Sequence, residues 1–454
     1  MTKQLYEYQK NGIVQALKNK RFLLALDMGL GKTFTALNYL HILKTKLHND
    51  TPTFIIVDSN KVDDWALEAS FFNFKNLYKV KKSSDYDKIE KNSDFIAIIS
   101  YRVLSNLVKN KVINLSKKFN LIIDEAQALK SPASLISKTL LKHNKYYDRV
   151  LLLSGDPLSN GYENLYVLMK LLQLFDDKST YLDFMNCFTK YYTMPNNKSP
   201  WGSQVRIITG YKNVEELIKL VHSKSYFLKS EDAIELPAKV QEIITVKTCE
   251  QYYEMKTQRV TDFNKPTQVV ADNSISLLHS LRQLASGVIK TDIGSYKLYS
   301  FEKLNALKDI LNSTKENLTI FYNYKAEAVY IKSLLNELEI KSFSINGQGN
   351  ELAKALEYEG RKVVLIQFIS GARGIDGLQE ISKTQVYFSP PLSGELFKQS
   401  IKRIHRIGQK EDCKYIFLVA ENSIEIEIYK ALKNAKDYTL KMFEQEYKGE
   451  EEWN

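Results

Sequence analysis

A chain of 454 residues, 44% apolar and 26% charged, has length for roughly two to four domains and a composition that excludes fibrous, low-complexity and disordered classes. Lys and Arg number 64 against 53 Asp and Glu, a formal net charge of +11 with His neutral, which permits a polyanionic partner without requiring one. Cys187, Cys249 and Cys413 lie far apart without ligand spacing, which argues against a zinc site or a disulfide framework and fits a reducing compartment.

The N-terminus shows no apolar run of signal-peptide type, and no stretch approaches membrane-spanning length, so the expectation is a soluble intracellular protein. Leu5 to Leu17 reads as a short amphipathic segment with Gln9 near its start. Apolar strands then alternate with helical patterns: Phe22–Leu26, Phe54–Val57, Phe95–Ile99, Leu121–Ile123 and Val150–Leu153. Such spacing predicts an α/β fold with a parallel sheet covered on both faces. In that architecture ligands collect at the carboxyl ends of the strands. Asp27, Asp124-Glu125 and Ser154-Gly155-Asp156 stand at those ends.

From Gly161 to about Thr291 the pattern reads as mainly helical, as at Leu165–Leu174 and Val214–His222, with a polar loop from Pro195 to Pro200. The strand alternation returns with Leu318–Tyr322, Phe343–Ile345, Val363–Phe368, Gln385–Phe388 and Tyr415–Val419, which predicts a second α/β domain. The final residues, 450–454, read as a frayed acidic tail.

Three stretches carry chemistry. Leu23 to Thr33 runs from an apolar strand through a glycine turn into Lys-Thr and a helical pattern, the layout of a phosphate-binding loop. Gly29 and Gly31 let successive N–H groups point at phosphate oxygens, with Leu30 between them. Lys32 would reach the outer phosphates and Thr33 would ligate Mg²⁺. Leu26 stands where the general pattern has its first glycine. Leu121–Gln127 delivers two carboxylates at a strand end: Asp124 suits a metal and Glu125 suits the attacking water. Strand alternation predicts that these two side chains point differently. In Gln399–Gln409, Arg403 and Arg406 are three residues apart, which on a helix places them on one face, able to meet a phosphate.

With these motifs in order, the chain resembles the superfamily 2 helicase core, and within it the SWI/SNF-type DNA translocases, especially small phage-encoded members. The carrying residues are Gly29 to Thr33, Asp124 to Gln127, Ser154 to Pro157, Gly374 to Gln379 and Arg403 to Gln409. Tyr8-Gln9 resembles the adenine-sensing element, Trp65 with Glu68 and Ser100-Tyr101 resemble the next elements, and Leu228–Glu231 with Leu236-Pro237 resembles the bridge between lobes. The resemblance implies two RecA-like lobes: an N-terminal ATP-binding lobe over 1–225 with a helical insertion from about 161, a helical bridge over 226–300, and a C-terminal lobe over 301–454.

It further implies ATP and Mg²⁺ as cofactors and a cytoplasmic setting in a bacterial or phage-infected cell. The nucleotide would be held by Gln9, Gly29, Leu30, Gly31, Lys32, Thr33, Gly374 and Asp376, and the metal by Thr33 and Asp124. Lys32, Asp124, Glu125, Arg403 and Arg406 would carry catalysis, with Gln127, Ser154, Gly155 and Gln399 in coupling. The partner implied is DNA, double-stranded and gripped mainly by its backbone, with Lys61 and Arg102 as candidate contacts. Gln127 replaces the His usual in this group, Asp156 stands at a usual Thr and Lys402 at a common Gly. The implied activity is a duplex-stimulated ATPase and translocase. A strand-separating or fork-remodelling helicase, and a nucleic-acid-binding module with ATP as a switch, stand as alternatives.

Overall fold

The computed structural model describes residues 4–86, 89, 94–110, 117–158, 161–176, 178–195, 204–233, 236–263, 265, 267–371, 375, 377–434 and 436–451. The chain divides into two compact units, Met1–Ile234 and Glu235–Asn454.

In the first unit the strands are β1 (Arg21–Leu26), β2 (Thr53–Val57), β3 (Leu77–Val80), β4 (Ile96–Ser100), β5 (Phe119–Ile123), β6 (Tyr147–Leu153), β7 (Thr189–Pro195), β8 (Gln204–Tyr211) and β9 (Ser225–Leu228). Seven of them form one sheet in the order β3-β4-β2-β5-β6-β1-β9, and every neighbouring pair is parallel. β1, β2, β4 and β5 are buried at every position, which explains why they are continuous apolar runs rather than alternating ones. Because the pairs are parallel, all strands end on the same edge. β7 and β8 form a separate antiparallel hairpin.

In the second unit the strands are β10 (Lys239–Val246), β11 (Val260–Thr261), β12 (Val269–Val270), β13 (Val288–Lys290), β14 (Tyr296–Leu298), β15 (Leu318–Tyr322), β16 (Lys341–Asn346), β17 (Gly349–Asn350), β18 (Lys362–Gln367), β19 (Thr384–Tyr387) and β20 (Cys413–Ala420). A second seven-stranded sheet has the order β10-β20-β19-β15-β18-β16-β17, parallel except for the short β16–β17 pair. Alternate residues of its strands enter different cores: Phe321, Val364 and Ile366 join one, Ile320, Val363 and Leu365 the other. That is the pattern of a sheet packed on both faces. Between the helices Glu302–Ser313 and Ile424–Lys433, Lys303 and Glu425 form a fully buried ion pair at 2.7 Å, and Lys303 also donates to the Phe388 carbonyl at 2.7 Å.

Each of the ten strands read from the sequence is present, with its ends shifted by a few residues at most. The expectation of a mainly helical stretch from Gly161 to Thr291 holds for the helices and misses the strands between them. Helices Tyr166–Leu171, Tyr181–Phe188, Val214–Ser223, Glu250–Gln258 and Ser274–Ala285 are there, and so are β7 to β13. β7 and β8 are rich in Tyr, Thr and Ile, whose β preference outweighs the weak helical period. β10 is an edge strand with exposed and half-exposed positions along most of its length, so its apolar signal is faint. Of the predicted polar loop, 196–200 lie outside the described residues, as do 452–454 of the acidic end. No helix among the described residues is long and apolar enough to cross a membrane.

Candidate nucleotide-binding site

β5, β6 and β1 are adjacent in the first sheet, so the residues after their carboxyl ends cluster: Asp124-Glu125, Ser154-Gly155 and the loop Asp27–Gly31. Leu26, at the position where a glycine is usual, is the last residue of β1 and fully buried; its side chain belongs to the sheet and only its carbonyl faces the loop. The loop turns through Gly29 at φ 87° and Gly31 at φ 73°, left-handed values that favour glycine. A Cβ on Gly31 would also lie 2.6 Å from Gln9 Nε2, so a larger residue there would push the Gln9 amide from its place.

Lys32 opens the helix Lys32–Thr45 with Thr33 in its first turn, where unpaired backbone N–H groups and the helix dipole favour an anion. The Lys32 ammonium folds back to donate to the Leu26 carbonyl at 3.0 Å. A Cβ on Gly155 would sit 3.6 Å from Lys32 Nζ, which sets the end of β6 beside the same space. Gln9 is buried, and its Nε2 donates to the Leu30 carbonyl at 3.0 Å, joined there by the Tyr8 hydroxyl at 3.2 Å.

The carboxylates follow β5. Asp124 is 8% exposed; its Oδ2 accepts the Trp65 indole N–H at 2.9 Å and its Oδ1 accepts the Glu125 N–H at 3.0 Å. Burial first, and the charge of Glu125 second, push its pKa up to about 6, against the lowering effects of the Trp65 bond and of Lys32 and Lys61. The chain leaves the strand at once: Glu125 has φ 47°, so a left-handed turn, rather than strand alternation, separates the two side chains. Gln127 Nε2 donates to Glu125 Oε2, and Ser154 Oγ donates to Gln127 Oε1 at 2.7 Å. Glu125, Gln127 and Ser154 thereby form one hydrogen-bonded relay from β5 to β6. Asp156 is exposed in the turn after β6.

Of the residues expected on nucleic acid, Arg102 is exposed at the start of the helix Tyr101–Lys109. Lys61 lies just before the helix Val62–Ser70, paired with Asp64 at 3.1 Å.

In the second unit Gln399 is buried in the helix Gly394–Ile401; its Nε2 donates to Glu395 Oε1 at 3.0 Å, while its Oε1 is buried with no hydrogen-bond partner among the described residues. The helix stops at Ile401, so Arg403 and Arg406 do not share a helical face as the three-residue spacing predicted. The chain tightens where the Arg403 N–H bonds the Ser400 carbonyl at 3.1 Å, sinks Ile404 into the core, and turns through Gly408 at φ 97°. Arg403 is buried and its Nη1 donates to the Ile375 carbonyl at 2.7 Å; Arg406 is half-buried. Gly374 and Asp376 lie outside the described residues.

Sequence reasoning missed four contacts. Trp65 was matched only by resemblance, yet a buried indole N–H needs an acceptor, and Asp124 is it. The buried Tyr101 hydroxyl donates to the Asp124 carbonyl at 2.6 Å. Ser230, just beyond β9, donates through Oγ at 2.9 Å and N–H at 3.3 Å to Asp27 Oδ2 in the loop. In the second unit His405 Nε2 meets the Pro237 carbonyl at 2.8 Å. The chain between the two units is thus tied near each end to a motif residue of its own unit. Nothing local in the sequence announces either tie, because each joins segments more than 160 residues apart.

The donors present suit a nucleoside triphosphate: a glycine turn leading into a helix N-terminus, one ammonium, one hydroxyl and two carboxylates with separate partners. No group of three or more His, Cys, Asp or Glu that could hold a metal by itself occurs among the described residues.

The chain is similar to several known proteins. An uncharacterized ATP-dependent helicase of Mycoplasma genitalium is 26% identical over 93% of this chain and 40% of its own length. The SWI/SNF-related matrix-associated actin-dependent regulator of chromatin subfamily A-like protein 1 of Drosophila melanogaster is 24% identical over 97% of this chain and 56% of its own. The chain therefore spans about half the length of these curated relatives. The Sulfolobus solfataricus SWI2/SNF2 ATPase core, solved in complex with dsDNA, is similar over 95% of this chain and 91% of that one, at 20% identity and a TM-score of 0.43. Residues 8–287, well over half of the chain, match the SNF2-related domain, and the chain belongs to that family.

Proposed function

We propose that the protein is a DNA-dependent ATPase that moves on duplex DNA. The observation that carries the reading is the cluster at three adjacent strand ends, where Lys32, Asp124 and the Glu125–Gln127–Ser154 relay surround a glycine loop built for phosphates. Relatives named as ATP-dependent helicases support ATP as the substrate, and the +11 net charge suits a nucleic-acid track.

In this reading Lys32 and the loop N–H groups bind and orient the phosphates, and Gln9 closes the loop from behind. Glu125, oriented by Gln127, takes the proton of the attacking water. Thr33 and Asp124 would hold Mg²⁺, which supplies charge neutralisation on the phosphates. Arg403 and Arg406 of the second unit would meet the phosphates when the two units close on ATP, and would let go after hydrolysis. Closure and release then step the protein along the backbone. We assign the two units the roles of the two lobes, with the segment around Leu228–Pro237 as the bridge.

The test is ATP turnover measured without nucleic acid and with single-stranded, duplex and forked DNA. Duplex stimulation that disappears in Lys32→Ala is expected. Turnover indifferent to every DNA would overturn the motor and favour a binding module with ATP as a switch. Strand separation on forked duplexes would shift the assignment to the helicase alternative.

A further inference from the structure

The β7–β8 hairpin stands apart from the catalytic sheet. Among the described residues it pairs with no third strand, and a lone two-stranded hairpin is marginal in water without something to pack on. Its base is anchored: the Tyr211 hydroxyl donates to Glu163 at 2.7 Å, and Asn213 donates to the Cys187 carbonyl at 2.9 Å. Its upper part is open. Tyr192 and Met194, two residues apart and so on one face, are 47% and 45% exposed.

Charge points to the partner. Between Thr189 and Asn213 the sequence carries Lys190, Lys198, Arg206 and Lys212 and neither Asp nor Glu. Some surface lysines elsewhere are paired, as Lys79 and Lys81 are with Asp63, and Lys383 with Glu316 and Glu411. Lys190 and Arg206 are exposed and have no ion-pair partner among the described residues; Arg206 rests over the Tyr191 ring at 5.7 Å. An exposed aromatic ring between cations without ion-pair partners among the described residues matches a strand of unpaired nucleotides, whose phosphates take the cations and one of whose bases stacks on the ring. A duplex would use the cations and leave the ring idle.

We propose that this hairpin is a second nucleic-acid-binding element, one that takes single-stranded DNA, with Lys190 and Arg206 on phosphates and Tyr192 stacked on a base. It deepens the DNA-dependent reading and rests on it for the choice of nucleic acid. Binding is measured without ATP, so a failed hairpin and a failed motor give different results.

The experiment uses the full chain and fluorescence anisotropy with a labelled oligothymidylate and a blunt duplex of equal length. Tyr192→Ala is expected to weaken oligothymidylate binding about tenfold, with duplex binding and the thermal melt unchanged, and Tyr192→Phe to restore it. The double variant Lys190→Ala/Arg206→Ala is expected to reduce the salt slope for the single strand by roughly 1.4. Unchanged oligothymidylate binding in both variants would overturn the proposal, as would an equal loss on duplex and single strand in Tyr192→Ala. So would a wild-type chain that does not bind the oligothymidylate, which would assign the hairpin to a protein partner.

Discussion

Asp124 carries the largest physical tension in the site, a carboxylate enclosed at a strand end with a second one beside it. Its pKa of about 6 lies above the ordinary 3.8, so the folded protein takes up a proton there as pH falls through about 6, and above that pH the buried charge opposes folding. Asp124→Asn keeps an acceptor for Trp65 and removes the charge. In nucleotide-free protein it should therefore raise stability at pH 8 by on the order of 1–3 kcal/mol, with the gain fading toward pH 5, as read by thermal melts at each pH. ATP turnover should be lost in the same variant. Gln127 holds Glu125 at one end and Ser154 at the other. Gln127→Ala should leave ATP binding near wild type and lower turnover about tenfold or more, since a misaimed base loses part of its contribution. Equal loss of affinity and turnover would contradict the orienting role.

At the scale of elements, the parallel sheets explain why the site residues sit together: strands that run the same way deliver their following loops to one edge. The second sheet is braced by the Lys303–Glu425 pair, in which burial pushes the Glu425 pKa up against the opposing pull of Lys303. Lys303→Met leaves a carboxylate buried without its cation and should destabilise the second unit by about 3–5 kcal/mol in urea unfolding. Adding Glu425→Gln should recover much of that loss, because neither charge is then stranded. The ten central strands were legible in the sequence as continuous apolar runs, while β3, β11 to β14 and β17, of two to four residues each, were not. The β7–β8 hairpin, β9 and β10 were not, because they are short, lie at edges or keep exposed positions where apolar periodicity fades.

Across the whole molecule, the segment joining the units is held by Ser230 on Asp27 at one end and by Pro237 on His405 at the other. Ser230→Ala should loosen the phosphate loop's hold on this segment. The expected result is that DNA stimulation of turnover falls about fivefold or more, while turnover without DNA changes little. A proportional fall in both rates would reduce Ser230 to a support of the loop alone.

Taken alone, the sequence determined the alternating α/β plan, the phosphate loop, the carboxylate pair and the resemblance to the SNF2-related family. Those features are local, since strand burial, glycine turns and helix starts are written within a dozen residues. Tertiary structure decided how each group is held: Trp65 on Asp124, the left-handed turn at Glu125, Gln127 between Glu125 and Ser154, and the end of the helix before Arg403. Each of these depends on which strands become neighbours and which side chains burial forces to find a partner, and spacing along the chain does not encode either.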